Sequence, residues 1–210
     1  DVRIPRSDKA AGIGDDGIKG AAWSLDIYNN SFVGYATTYG DNQHMDAIHH
    51  TAGGRIRIYN NTFKDMANYG PYLEAIFGGF SYVRIYNNLI TFTDKNITAS
   101  APPKGIVVTG KAPGKQISHT WIFNNTVVDV GNHNCVWFNN SKGDALFADS
   151  GFYNNVCVNG GGNSIHPNVY TEANRSVSSD QASAIFKSYK PLSENNDYRL
   201  KSMDIDRKST

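Results

Sequence analysis

Apolar and polar residues alternate along this chain in short runs that never settle into a helical period. In the run IRIYNNTF at 56–63, Ile56 and Ile58 alternate with Arg57 and Tyr59, the period of two of a half-buried strand. The run recurs as LDIYNNSF at 25–32, VRIYNNLI at 83–90, TWIFNNTV at 120–127 and SGFYNNVC at 150–157. Its first asparagines are Asn29, Asn60, Asn87, Asn124 and Asn154, spaced by 31, 27, 37 and 30 residues. Repetition at a near-constant period predicts one structural unit stacked on itself.

Each unit reads as three short strands. The middle strand is the alternating run. The Asn-Asn pair turns a corner, because asparagine accepts left-handed dihedrals and bonds its own backbone. A third strand follows, with Phe32, Phe63, Ile90, Val127 and Cys157 in its inward position. A first strand precedes each unit and is read from DGIKG, DAIHH, EAIFG, KGIVV and NSIHP. Propellers need four strands and about 40 residues per blade, and leucine-rich repeats need their own leucine pattern; neither fits. The reading is an all-β parallel β-helix, a solenoid with equivalent residues about 4.8 Å apart from coil to coil. Ile27, Ile58, Ile85, Ile122 and Phe152 then form an inward apolar column, and the corner asparagines form a ladder of amides. The expected organisation is one domain over 1–210, with about six coils at 11–168 and a closing segment at 169–210.

Composition agrees with many tight corners. The 210 residues include 23 asparagines and 20 glycines, both tolerant of left-handed backbone. A formal charge of +1 leaves no basic stripe, which argues against nucleic acid or an anionic membrane as the main partner. No apolar run is long enough to span a bilayer. The chain starts at Asp1 without a signal peptide. Cys135 and Cys157 make neither a disulfide framework nor a metal motif, and read as buried free thiols.

The IYNN units, with an asparagine corner after the second strand, resemble the pectate-lyase-like superfamily of right-handed parallel β-helices over roughly 11–168. The segment DQASAIFKSYKPLSENNDYRLK at 180–201 resembles the closing segment of secreted bacterial β-helix proteins, which implies an extracellular or cell-surface setting. The resemblance also implies that substrate lies along the first strands and their loops.

On that face the first strands align on Ile18, Ile48, Ile76, Ile106 and Ile165. Two residues before each isoleucine stand Asp16, Asp46, Glu74, Lys104 and Asn163. Neighbouring carboxylates repel unless protonated, paired or bridged. Lys104 would neutralise Glu74, and calcium, which takes oxygen ligands, fits Asp16, Asp46 and Glu74, although no cofactor is required. One residue after each isoleucine stand Lys19, His49, Phe77, Val107 and His166. The segment DNQHMDAIHH gathers His44, Asp46, His49 and His50, and a histidine near a carboxylate serves as acid or base near neutrality. Tyr69 and Tyr72 on the next loop suit stacking against sugar rings. On the second strand, Tyr28, Tyr59, Tyr86, Phe123 and Tyr153 form an aromatic column beside Asp26, Arg57, Arg84 and Trp121.

The sequence fits two classes of function. One is an enzyme on an acidic polysaccharide. Elimination would use His49, Lys19 or Lys104 as base, and hydrolysis would use Asp46 and Glu74 as a carboxylate pair. The other is a non-catalytic glycan-binding or structural β-helix, such as an adhesin or phage-fibre segment, with self-association through an uncapped solenoid end.

Overall fold

In the computed structural model, the asparagine pairs mark one edge of the molecule. The structure describes residues 2–3, 16–34, 46–66, 68–93, 103–140, 146–193 and 195–201. The first asparagine of each pair, at 29, 60, 87, 124 and 154, holds a left-handed φ between 53° and 55°. This places a sharp bend after every second strand.

The amide ladder is carried by the second asparagine of each pair, not the first. The Asn61 N–H and Nδ2 both donate to Asn88 Oδ1 at 3.1 Å, and Nδ2 also reaches the Ile27 carbonyl at 2.9 Å. Asn88 does the same to Asn125, Asn125 to Asn155, and Asn155 to Asn174. The division of labour is physical. The left-handed residue keeps its side chain on the exposed side, where Asn154 Nδ2 donates to Asn124 Oδ1 at 2.6 Å, and the following residue turns its amide into the buried stack. Asn174 reveals one more repeat than the five the sequence displayed. There Ala173 takes the left-handed position with φ 52°, and the missing first asparagine hid the unit.

The chain is nearly all β, with parallel strands in curled sheets, consistent with a solenoid-like fold. Three stacks of strands recur in register. The first contains Pro71–Ala75, Ile106–Gly110, Val136–Phe138 and Asn163–Ile165. The second contains Phe80–Tyr86, Gln116–Phe123, Leu146–Ala148 with Gly151–Tyr153, and Tyr170–Glu172. The bent strands Ile18–Tyr28 and Ile48–Tyr59 run through both stacks and join them into one sheet. The third stack runs Val2–Arg3, Ser31–Val33, Thr62–Lys64, Leu89–Thr91, Thr126–Gly131, Val156–Gly160 and Arg175–Val177.

Inside lies one core, with Ile27, Ile58, Ile85, Ile122 and Phe152 as a column beside Phe32, Phe63, Ile90, Val127 and Cys157. Cys135 and Cys157 meet there as a disulfide with Cα atoms 5.7 Å apart, which corrects the free-thiol expectation. They are 22 residues apart in sequence, a distance that predicts no proximity until Cys135 is seen to open a first strand facing a third strand. Outside, Tyr28, Tyr59, Tyr86, Phe123 and Tyr153 stack ring on ring at 4.9 to 5.0 Å and within 8° of parallel. Their inner faces are consumed by one another, so the column acts as a clamp between repeats.

The closing segment lies along the third stack. Helix Ser179–Ile185 starts in a capping box of Ser178 and Gln181, and a hairpin pairs Phe186–Ser188 with Asp197–Leu200. Ala182, Phe186 and Tyr189 pack on Val128 and Val158. The parallel strands thus run to Val177, beyond residue 168, before this segment begins.

Two first strands differ from the sequence alignment. The third repeat uses Pro71–Ala75, because Ile48 pairs with Pro71 and His49 with Tyr72; Ile76 falls after the strand. Extra residues in this repeat sit between its first and second strands, so alignment on an isoleucine slipped by five positions. The first strand of the repeat that contains Gly151–Tyr153 is Val136–Phe138, and Asn163–Ile165 stacks on it as the next layer.

Candidate active site on the first strands

The corrected register decides which side chains meet. Lys19, His49, Tyr72, Val107 and Trp137 occupy one row across successive repeats. Asp46 aligns with Tyr69 and Lys104 through backbone pairing, not with Glu74. Glu74 lies two residues beyond Tyr72 on the same side of its strand, which brings it to His49 from the other flank.

His49 is held between two carboxylates. Its Nδ1 lies 3.1 Å from Asp16 Oδ2, and its Nε2 faces Glu74 Oε2 at 3.4 Å. The ring stacks on Tyr72 at 4.7 Å and 18°, and the Tyr72 hydroxyl donates to Glu74 Oε1. Lysines close both ends: Lys19 Nζ is 3.0 Å from Asp16 Oδ2, and Lys111 contacts Glu74 Oε1. The result is an alternating row of charge, Lys19–Asp16–His49–Glu74–Lys111, whose centre is buried and whose lysines reach solvent. Asp46 lies beneath it, fully buried, accepting the Tyr69 N–H at 3.2 Å, while its own N–H donates to Asp16 Oδ1 at 3.0 Å.

These contacts set the protonation states. Burial alone would lower the proton affinity of His49, but hydrogen bonds to Asp16 and Glu74 and the charge of Asp46 outweigh it and raise the pKa to about 9. Burial likewise pushes Glu74 up, yet His49, Lys111 and Tyr72 hold it down at about 2. Asp16 is lowered on balance, its burial outweighed by bonds from His49, the Asp46 N–H and Lys19. Asp46 goes the other way: burial, then the charge of Asp16, raises it well above an ordinary carboxyl. Near neutrality His49 is an imidazolium between ionised Asp16 and Glu74.

A histidine with a folded pKa of about 9, against 6.5 for a free imidazole side chain, stabilises fully below the lower value and loses that contribution as pH rises through the upper one. At ~1.4 kcal/mol per unit, discounted for coupling within the row, melting experiments should register a loss of roughly 2–3 kcal/mol between about pH 6 and pH 10. Asp46 acts in the same sense. A His49→Gln protein should lose less over that range, and equal slopes for the two proteins would contradict the assigned imidazolium.

The remaining candidates are distributed as follows. His50 lies in the inward row with Leu73 and Val108; its Nδ1 meets the Gly20 carbonyl at 2.9 Å, and burial lowers its proton affinity. Tyr69 is buried and packs edge-on against Tyr72 at 4.9 Å. Lys104 Nζ lies over Tyr69 at 4.9 Å and Trp137 at 5.6 Å, and burial lowers its pKa while Asp46 partly restores it. The lysine paired with Glu74 is Lys111 instead. Sequence reading missed Lys111 and Trp137, because only the true register of Glu74 with Thr109 and of Val107 with Trp137 brings them in. For a metal ion, ligand atoms of Asp16, Asp46 and His49 lie within 4.8 Å of one another, with His49 where Glu74 was expected. His44 lies outside the described residues. No helix among the described residues is long and apolar enough to cross a membrane.

The chain matches no family model, no curated protein and no solved structure.

Proposed function

We propose that this chain is a single-stranded right-handed parallel β-helix of about six coils, of the pectate-lyase-like kind, that acts on an acidic polysaccharide along its first strands. The observation that carries the reading is the row Lys19–Asp16–His49–Glu74–Lys111 across four repeats. It combines a proton donor that is charged at neutrality with two solvent-reaching cations that suit uronate carboxylates.

Elimination fits this row better than hydrolysis. Hydrolysis needs two carboxyl groups presented to the sugar, but Asp46 is fully buried and Glu74 is engaged by His49, Tyr72 and Lys111. In elimination a base takes the C5 proton of the uronate, the C4–O4 bond breaks to leave a C4–C5 double bond, and the departing oxygen takes a proton. Lys104, which stands over Tyr69 and Trp137 and whose proton affinity burial lowers, serves as the base and keeps the C5 proton; His49 gives its own proton to the departing oxygen; a lysine at one end of the row, Lys19 or Lys111, neutralises the carboxylate. The disulfide supports an extracellular or cell-surface setting. The sheet edges at Asn163–Ile165 and Tyr170–Glu172, unpaired on one side among the described residues, are where a second copy would associate.

One observation favours a second reading, a non-catalytic glycan-binding or structural β-helix: His49 is only 9% exposed and both its nitrogens face carboxylates. The deciding experiment follows ultraviolet absorbance of unsaturated uronates across a panel of acidic polysaccharides. Product with any of them supports the enzyme, and binding without product supports the second reading.

Calcium is proposed only on Asp16 and Asp46 beside His49. In that case chelator lowers the melting temperature and millimolar calcium restores it, as linkage requires. An unchanged melting temperature leaves the carboxylates balanced by His49 and the lysines alone.

A further inference from the structure

The outward side of the second strands carries a feature that the first-strand site does not use. At one position in five successive repeats a non-glycine residue adopts the left-handed conformation: Ser24, Arg55, Tyr82, His119 and Asp149, with φ between 45° and 68°. Ser24, Arg55, Tyr82 and Asp149 are exposed and His119 is half-buried. Two residues further on, Asp26, Arg57, Arg84 and Trp121 stand in register. Between the two rows lies a shallow trough of about 610 Å³, lined among others by Arg55, Arg57, Arg84, Tyr82, His119 and Trp121.

Its charge is unbalanced. Three arginines line the trough with one aspartate. Arg57 takes that aspartate, its Nε donating to Asp26 Oδ1 at 2.7 Å and a terminal nitrogen contacting Oδ2. Arg55 and Arg84 form no ion pair and no side-chain hydrogen bond with any described residue. Free guanidinium forks on a solvent-facing strand recognise planar anions, carboxylates above all. Trp121 is seated over Gly151, where an added Cβ would stand 2.4 Å from the indole. One indole face is therefore covered, and the indole lines the trough one layer, about 4.8 Å, from Arg84. That step is close to the rise per ring of an extended pyranose chain.

We propose that this trough is a second binding strip for an acidic polysaccharide, with uronate carboxylates on Arg84 and Arg55 and a sugar ring against Trp121. The choice of uronate rests on the function proposed above; the existence of an anion-binding strip does not. Single-stranded nucleic acid fits less well, because it needs successive free aromatic faces. Here Tyr82 is stacked on His119 at 4.6 Å, and the neighbouring tyrosine column is stacked throughout.

The test is calorimetric titration of the full chain with hexamers of galacturonate, mannuronate and guluronate, a methyl-esterified galacturonate hexamer, and oligothymidylate. The expected result is binding to at least one free uronate, weakened by salt and by esterification. Arg84→Ala should weaken it by about 10- to 100-fold, and Arg84→Lys, which keeps charge but loses the fork, should fall between. His49→Ala should leave this binding in place. Uronate binding that survives both Arg84→Ala and Arg55→Ala but disappears in His49→Ala would overturn the strip while sparing the first-strand reading. Oligothymidylate binding as tightly as any uronate, or no binding to any uronate, would also overturn it. Strip binding with no unsaturated product from any polysaccharide would leave the strip standing and sink the enzyme.

Discussion

Asn88→Ala should destabilise the protein by roughly 3–5 kcal/mol, whereas Asn87→Ala, one residue away, should cost only about 1–2. The two asparagines do different physical work. Asn88 is 2% exposed and sits mid-ladder: its Oδ1 accepts two bonds from Asn61, and its Nδ2 donates to the Ile58 carbonyl and to Asn125. Alanine there strands the Asn61 N–H, the Asn61 amide, the Ile58 carbonyl and one bond to Asn125, in a place where water cannot substitute. Asn87 is exposed and supplies a left-handed residue, so alanine costs only the backbone preference. In a chain of this size each kcal/mol moves the melting temperature by about 2–4 °C. Thermal melts should therefore separate the two variants by several degrees, and equal shifts would refute the assignment of the ladder to the second asparagine. Asn87→Gly offers a control, since glycine takes the left-handed conformation freely.

The contrast explains what the sequence could disclose. A corner that always needs a left-handed residue followed by an inward amide writes itself as Asn-Asn, so the repeat and the inward columns of Ile58 and Phe63 were legible without coordinates. Where another residue satisfied the same demand, as Ala173 does before Asn174, the repeat disappeared from view. First strands carry no such marker. Small and apolar residues such as Ala47-Ile48 and Ala75-Ile76 look alike, and an insertion between two strands moves the register without leaving a motif. The slip from Pro71 to Ile76 put Glu74 in the row of Asp46 and Lys104, when it belongs beside His49 and Lys111. The dense cluster at DAIHH was visible as chemistry. Its electrostatics were not, because an imidazolium between Asp16 and Glu74 depends on three repeats meeting at one point. His49 stands on the row outside the apolar core, yet Tyr72 lies against its ring and leaves it only 9% exposed.

In the proposed enzyme, His49→Ala should reduce turnover by about 10²–10⁴-fold, the usual scale of a lost proton donor. The row also predicts the shape of the pH profile. His49 is charged below its raised pKa of about 9, so as an acid it supports turnover on the neutral side and fails as pH climbs past that value; a histidine base would give the opposite limb. Removing the ring leaves Asp16 with Lys19 and Glu74 with Lys111 and Tyr72, so each carboxylate keeps a counter-charge and the fold should survive with a modest loss of stability. His49→Gln separates the roles further, since it fills the space and bonds one carboxylate yet carries no transferable proton; it should match alanine in turnover and exceed it in melting temperature. Arg57→Ala, on the second strands and already paired with Asp26, should leave kcat nearly unchanged. Loss of kcat in Arg57→Ala with His49→Ala fully active would move the chemistry to the second-strand face. The working centre would then be the trough beside Arg84 and Trp121, and the buried row at His49 would be a charged rivet holding three repeats together.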